Sequence, residues 1–162
     1  MTKLKLEKNF KNIQSIAIVD DSLLEKKEDI LLLLDLNEKI IKGVKDSSYT
    51  KSIIVNKDRS YVALVSSLFC DEFKVYSYPD LKVVITLNRI DEKEYYYKDA
   101  VFSPDGKFLY VLADEKCDSC YSDSILIKID LNYQKYTSYF RGDGIHFDSL
   151  YYSKTKQALL LL

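Results

Sequence analysis

The chain lacks several features that would place it in a common functional class. It has no tryptophan, one histidine, two prolines and four glycines among its 162 residues. No apolar run reaches 18 residues, so no transmembrane helix is expected. The N-terminal stretch MTKLKLEKNF also lacks the apolar core of a secretion signal. If Met1 is the true start, we expect a cytoplasmic protein that does not bind membranes.

Charge and cysteine content exclude further classes of function. The 24 lysines and arginines nearly balance the 25 acidic residues, and no basic block occurs, which argues against nucleic-acid binding. Three cysteines are an odd count and too few for a disulfide scaffold, which suits a reducing compartment. The motifs GxxxxGK, GxGxxG, GxSxG and HExxH are absent, so no phosphate cradle, serine hydrolase or zinc protease is predicted.

The clearest local pattern is residues 98–115, KDAVFSPDGKFLYVLADE, which reads as two strands around a tight turn. Pro104 presets φ for the first corner of the turn, and Gly106 can adopt a positive φ without steric cost. The run FLYVL that follows is rich in the aromatic and β-branched residues that strands favour. The stretch therefore predicts a β-hairpin.

This hairpin recurs along the chain. The run Tyr61 to Val65 aligns with Phe108 to Leu112 at an offset of 47 residues, and Asp58 then aligns with Asp105. A second strand–turn–strand pattern follows each hairpin, for example ILIKI-DLNYQK-YTSYF. The repeats predict units of four strands, which we label A to D. The predicted units cover residues 4–46, 49–91, 95–142 and 145–162, and the last unit stops after strand B.

The motifs AVFSPDGKFLYVLADE (residues 100–115) and ILIKIDLNYQK (residues 125–135) resemble WD-repeat-like and YVTN-type β-propellers. The Gly-His and Trp-Asp pairs of strict WD repeats are absent. The resemblance implies an all-β fold, a single incomplete β-propeller over residues 1–162 built of four-stranded antiparallel blades. Propellers usually close with four to eight blades. We therefore expect a fragment of a longer propeller; the alternative is a homodimer that closes the ring.

One stretch has a second interpretation. Leu23, Leu24, Ile30 and Leu31 are apolar around a charged patch, so residues 22–36 could form an amphipathic helix. The continuous run ILLLL aligns with clear strands at the repeat spacing, which favours a strand from Ile30, preceded by a loop that could hold a short helical turn.

Antiparallel geometry determines which loops lie together. The A–B and C–D turns lie at one end of a blade, and the B–C and D–A loops lie at the other. The predicted B–C loops are 20–29, 66–72 and 114–124, and the predicted D–A loops are 46–50, 88–98 and 141–147. The longer loops predict a binding face for a cationic partner, a basic peptide or a divalent ion, although acidic loops can also serve solubility alone. Its acidic residues are Asp20, Asp21, Asp71, Glu72, Asp114, Glu115, Asp118 and Asp123.

The cysteines and the histidine fall at the same end of the predicted blades. Cys70 and Cys117 occupy equivalent positions, Cys117 and Cys120 form a CxxC pair, and His146 lies in a D–A loop. Three thiolates and an imidazole can bind zinc tetrahedrally. The CxxC pair could instead form a disulfide or exchange thiols, or all three could be ordinary loop thiols.

These patterns lead to two functional hypotheses. The first is a non-catalytic, WD-like propeller segment that binds a protein partner through the B–C and D–A loops. The alternative is a lactonase-like propeller, or one associated with redox metabolism, that carries a metal or thiol site on those loops. Fold alone does not decide between them.

Overall fold

A computed structural model describes residues 13–19, 22–27, 30–35, 37, 39–46, 50–66, 72–116, 123–141, 146–153, 155 and 158–162. No helix among them is long and apolar enough to cross a membrane. Fifteen strands are found in these ranges: β1 (Ile13–Val19), β2 (Ser22–Lys27), β3 (Ile30–Asp35), β4 (Ile40–Lys45), β5 (Thr50–Val55), β6 (Tyr61–Ser66), β7 (Phe73–Ser77), β8 (Val83–Leu87), β9 (Arg89–Ile90), β10 (Lys93–Phe102), β11 (Phe108–Glu115), β12 (Ser124–Asp130), β13 (Lys135–Arg141), β14 (Leu150–Ser153) and β15 (Ala158–Leu161).

The strands form four antiparallel sheets, which we call blades one to four. Blade one is β1 to β4 and blade two is β5 to β8, each in sequential order. Blade three has the order β13-β12-β11-β10-β9, and blade four consists of β14 paired with β15. The strands that take the strand A position of each blade contact one another, β1 with β5, β5 with β10 and β10 with β14. Blades whose A strands meet in this way surround a common axis, which confirms the predicted all-β, partial propeller fold.

Two apolar cores lie between the blades. Val62, Leu64 and Tyr76 of blade two are buried in one cluster with residues of blade one. Ala63 and Val75, their neighbours along the same strands, are buried in a second cluster with blade three. Because successive strand side chains point to opposite faces, blade two packs on both sides.

The predicted hairpin is confirmed. Phe102 pairs with Leu109 across the turn, and Gly106 has a φ of 73°. The Oγ of Ser103 donates to the Asp105 carboxylate at 2.6 Å and accepts the amide N–H of Phe108 at 2.9 Å. The Ser103 side chain therefore provides a hydrogen-bond acceptor for a backbone amide at the end of the turn.

Blade one corrects the sequence interpretation. Residues 22–27 are a strand, β2, rather than a loop or part of a helix, and they pair with both β1 and β3. The charges of Glu25 and Lys26 suggested a loop, yet these side chains are 5% and 0% exposed. The ammonium of Lys26 lies 3.9 Å from the carboxylate of Asp46. This opposite charge offsets part of the cost of removing the ammonium from water.

A second correction concerns the predicted loop over residues 88–98. Arg89–Ile90 is a short strand, and Lys93 already begins β10. Asp91 and Glu92 form the turn between them with left-handed φ values of 50° and 67°. The sequence did not predict this turn because it contains no glycine, and other residues seldom adopt positive φ.

Candidate binding face

We call the end of the blades that carries the B–C and D–A connections the loop face, and the opposite end the turn face. The loop face is anchored between blades one and two by Asp46, which follows β4. Its carboxylate lies 3.9 Å from both the Lys26 and the Lys74 ammonium groups, and it accepts a hydrogen bond from the Tyr76 hydroxyl. Lys74 also pairs with Glu72 at 2.6 Å. The cluster joins strands of two blades to the connection between them.

This environment favours the neutral form of Tyr76. Burial raises the pKa of Tyr76 well above its ordinary value, and the hydrogen bond to Asp46 and the charges of Asp46 and Glu72 raise it further. The phenol therefore stays a hydrogen-bond donor across the physiological range.

A second network anchors the connection that leads from blade three to blade four. Ser124, which is fully buried, donates to Asp114 at 2.7 Å and accepts the amide N–H of Phe147 at 3.1 Å. Lys98 lies 2.9 Å from the Asp114 carboxylate and donates to the Phe147 carbonyl at 2.6 Å. The ammonium of Lys98 is also 3.6 Å from Asp148, whose side chain is 96% exposed. Three strands of blade three thus position an exposed acid.

The β9–β10 hairpin adds a short fifth strand to blade three at the loop face. Arg89 pairs with Glu94 at 2.9 Å, and Lys116 lies 3.4 Å from the same carboxylate and 4.8 Å from the ring centre of Tyr96. The hydrogen bond from Arg89, followed by that from Lys116, lowers the pKa of Glu94. These contacts connect the hairpin to the end of strand β11, although exposed ion pairs of this kind each add little stability.

The structure describes four of the eight acidic residues that were predicted to form the binding face. Asp20, Asp21, Asp71 and Asp118 lie outside the described residues. Glu72 and Asp114 pair with lysines as stated above, Glu115 lies 2.5 Å from Lys93, and Asp123 accepts the amide of Glu115 through its backbone carbonyl. The described part of the loop face therefore carries mixed charge. Sequence reasoning missed the lysines near these acids, because their pairing depends on strand register; they are Lys26, Lys74, Lys93, Lys98 and Lys116.

The first predicted loop also needs a correction. Asp20 and Asp21 connect β1 to β2, which are strands A and B of blade one. The predicted B–C loop over residues 20–29 is therefore wrong in its bounds, because β2 takes most of the place that the prediction gave to a loop. The B–C connection of this blade is residues 28–29, outside the described residues.

The predicted metal ligands cannot be assembled from the described residues. Cys70, Cys117 and Cys120 lie outside these residues, and His146 is exposed in the connection between blades three and four. In the ranges that the structure describes, no group of three or more histidine, cysteine, aspartate or glutamate side chains could hold a metal ion. The zinc or thiol site stays a prediction.

The turn face is closed by side chains that bind their own backbone. Asp35 accepts the amides of Asn37 and Lys39, both at 2.9 Å, and Asp130 accepts those of Asn132 and Tyr133 at 3.0 and 3.2 Å. These carboxylates serve the C–D turns of blades one and three. The described carboxylates of these two turns therefore stabilise their own backbone.

Comparison with known proteins supports the fold and leaves the function open. No protein-family model matches the chain, and no curated protein matches its sequence. Among solved structures it is similar to the β-propeller domain of Myceliophteria thermophila Cps50 (Swd1), with a TM-score of 0.64 and 11% identity over 85% of this chain and 43% of that one. It is also similar to the WD40 repeats of RRP9, with a TM-score of 0.62 and 11% identity over 93% of this chain and 50% of that one.

A third similar structure is a protein from Bacteroides uniformis, provisionally assigned as a 6-phosphogluconolactonase. It has a TM-score of 0.63 and 15% identity over 92% of this chain and 46% of that one. The chain thus spans about half the length of the solved propellers it matches. The fold is that of a partial, WD-repeat-like β-propeller.

Proposed function

We propose that the chain is a scaffold that binds a protein partner through its loop face. The observation that carries this proposal is the anchoring of exposed charges by buried networks. Asp148 is 96% exposed, yet its D–A connection is held by Lys98 and Ser124 inside blade three. A rigid scaffold that presents exposed loop residues is a usual way to build a binding site.

The charge pattern indicates the chemistry of the partner. Arg89 and Glu94 are 65% and 49% exposed, and Lys93 lies beside them with 44% exposure. A surface on which both signs alternate is complementary to a partner surface of alternating charge, and such matching favours specificity and orientation. We therefore expect a folded protein surface as the partner, rather than the purely cationic peptide or divalent ion suggested by the acids alone.

Site-specific crosslinking tests this proposal. A photo-reactive amino acid at position 92, in the β9–β10 turn, should capture a protein from the source cells. The same group at position 80, in the C–D turn of blade two, is the matched control because Asp80 is also exposed. A specific crosslink from position 92 and none from position 80 is the expected result. Equal capture from both positions, or none from position 92, would contradict the proposal.

The alternative function is a lactonase-like or redox-associated propeller. The similarity to the Bacteroides uniformis protein, at 15% identity, favours testing it directly. The assay is hydrolysis of 6-phosphogluconolactone by the purified chain, with and without added zinc, against the spontaneous rate. Turnover that is lost on substitution of loop-face residues would replace the scaffold proposal. The expectation that the chain is a fragment of a longer propeller stays a prediction, and the solution mass of the chain tests it.

A further inference from the structure

The β9–β10 hairpin is additional to the repeating plan of the blades. The repeat offset of 47 residues aligns Thr50, which begins β5, with Tyr97, and the strand register shifts directly after each of these residues. Residues 46–49 are enough to lead from β4 to Thr50, whereas residues 88–96 lead from β8 to Tyr97. The longer connection contains β9, the turn and the start of β10. Joining two blades therefore does not require the hairpin.

The hairpin is fixed to blade three at its base. Ile90 is fully buried in the core that blades two and three share. Lys93 pairs with Glu115 at 2.5 Å, and the amide of Lys116 donates to the carbonyl of Glu94 at 2.9 Å. The hairpin belongs to the connection between two blades that each have strands A to D. A further blade at either end of the array would therefore not take its place.

The turn of this hairpin has an unfavourable backbone conformation. Asp91 and Glu92 both have positive φ, as in a type I′ turn, and glycine or asparagine favours these positions more than glutamate does. Unfavourable conformations that the surrounding structure maintains are found most often at functional sites. The hairpin is therefore a candidate recognition element within the loop face.

Three charged side chains form a row across the hairpin and β11. Arg89 pairs with Glu94 in the strand register, and Lys116 lies on the other side of Glu94. The Glu94 carboxylate accepts a hydrogen bond from Nη2 of Arg89 at 2.9 Å and lies 3.4 Å from the Lys116 ammonium. One carboxylate is therefore shared by two cations.

Of these two cations, Arg89 is the one that faces solvent. Its side chain is 65% exposed, whereas that of Lys116 is 19% exposed and also lies 4.8 Å from the ring centre of Tyr96. Within the described ranges, Glu94 is the acid that contacts Arg89. A guanidinium has five N–H donors, and Arg89 uses Nη2 for this contact. The contact orients the guanidinium and leaves other donors available to a further acceptor.

We propose that Arg89 is a principal contact of the loop face and binds an aspartate or glutamate carboxylate of the partner protein. This inference rests on the proposed function and names the group that the loop face recognises. Arg89 lies at the end of the row, because β9 is the edge strand of blade three. A carboxylate beyond Arg89 continues the alternation of charge along the row, whereas a cation there would be repelled. Guanidinium groups bind carboxylates through paired hydrogen bonds, and arginine is enriched among the residues that dominate protein interfaces.

The probe for this inference is the protein that crosslinks from position 92, identified by mass spectrometry and purified. Calorimetry measures its binding to the wild-type chain and to Arg89→Gln, whose side-chain amide can still donate to Glu94. We expect binding to weaken at least about tenfold, because the partner's carboxylate loses its counterion. Arg89→Lys should recover only part of the affinity, since an ammonium lacks the planar fork. The control Lys82→Gln, at a residue that is 76% exposed in the C–D turn of blade two, should bind as the wild type does.

Charge exchange identifies the carboxylate on the partner. Arg89→Glu is measured against partner variants in which each acid of the crosslinked region is replaced in turn by arginine, and one of them should restore binding. Circular dichroism verifies that each variant is folded. Equal affinity of Arg89→Gln and the wild type, or no restoring exchange, overturns this inference and leaves the scaffold proposal standing. If position 92 captures no protein, the scaffold proposal fails and this inference fails with it.

Discussion

Arg59 and Gly106 occupy the same position of the A–B turn in successive blades, and both have left-handed φ values, 59° and 73°. The two turns thus share a backbone conformation although only one contains glycine. A Cβ atom at Gly106 would meet no heavy atom closer than 3.6 Å, the Nδ2 of Asn56. Any cost of a side chain there comes from the backbone conformation and not from crowding.

Gly106→Ala should therefore lower the free energy of unfolding by about 1 kcal/mol, because alanine tolerates a positive φ poorly. Gly106→Asn should lower it less, since asparagine adopts this conformation more readily. Urea denaturation of the two variants and the wild-type chain measures the difference. A Gly106→Ala variant as stable as the wild type would show that the turn adopts another conformation.

The Asp46 cluster should dominate the polar contribution to stability. Asp46→Ala removes the carboxylate that faces the fully buried Lys26, and we expect a loss of about 3–5 kcal/mol. The matched control is Asp80→Ala, since Asp80 is 64% exposed and, among the described residues, forms an ion pair with the exposed Lys82 at 4.0 Å. Its effect should stay within about 0.5 kcal/mol. Similar losses in the two variants, measured by urea denaturation, would refute the assigned role of Asp46.

Tyr76 should make the chain sensitive to alkaline conditions. Its pKa is raised in the folded chain, so the folded state holds the phenolic proton more tightly than the unfolded state. The resulting stability is present below the ordinary tyrosine pKa of about 10 and is lost as the pH rises above it. Between about pH 9 and about pH 11, stability should fall more steeply in the wild type than in Tyr76→Phe. Parallel curves would contradict this assignment.

Ser124 should control the order of the connection that carries Asp148. Ser124→Ala removes the acceptor of the Phe147 amide and the donor to Asp114, and should cost about 1–3 kcal/mol. Amide hydrogen exchange at Phe147 should accelerate in this variant. The exposed Ser138→Ala is the control and should change neither quantity. Unchanged exchange at Phe147 would mean that the connection is held elsewhere.

The predicted zinc site can be tested by elemental analysis of chain purified under reducing conditions. About one zinc per chain is expected if Cys70, Cys117, Cys120 and His146 form the site. A variant with Cys117→Ser and Cys120→Ser should lose the metal, whereas the surface substitution Lys82→Ala should retain it. A wild-type chain without stoichiometric zinc would remove the metal hypothesis and leave the thiol alternatives.

The fold could be predicted because its strongest signals are local and repeated. The turn residues Ser103 to Gly106 and the apolar run Phe108 to Leu112 specify one hairpin, and the offset to Tyr61 extends it to other blades. The repeat predicts the order of the blades, and the strand period of two residues predicts which side chains share a face.

The sequence-based predictions were wrong where tertiary contacts stabilise a conformation that the local sequence disfavours. Lys26 is fully buried in β2, and its ammonium lies 3.9 Å from the carboxylate of Asp46, which is distant in sequence. The Asp91–Glu92 turn lacks the glycine that would have revealed it. Acids on the loops were recognised as a group, but their pairing with Lys93 and Lys98 depends on strand register, which composition does not contain.

The two separate cores on either side of blade two have a consequence for unfolding. Each blade is stabilised mainly by its immediate neighbours, so the chain approximates a one-dimensional array of coupled units. Loss of blade two disrupts both of these cores. Hydrogen exchange should therefore be slowest at the amides of blade two, whose two faces are both covered.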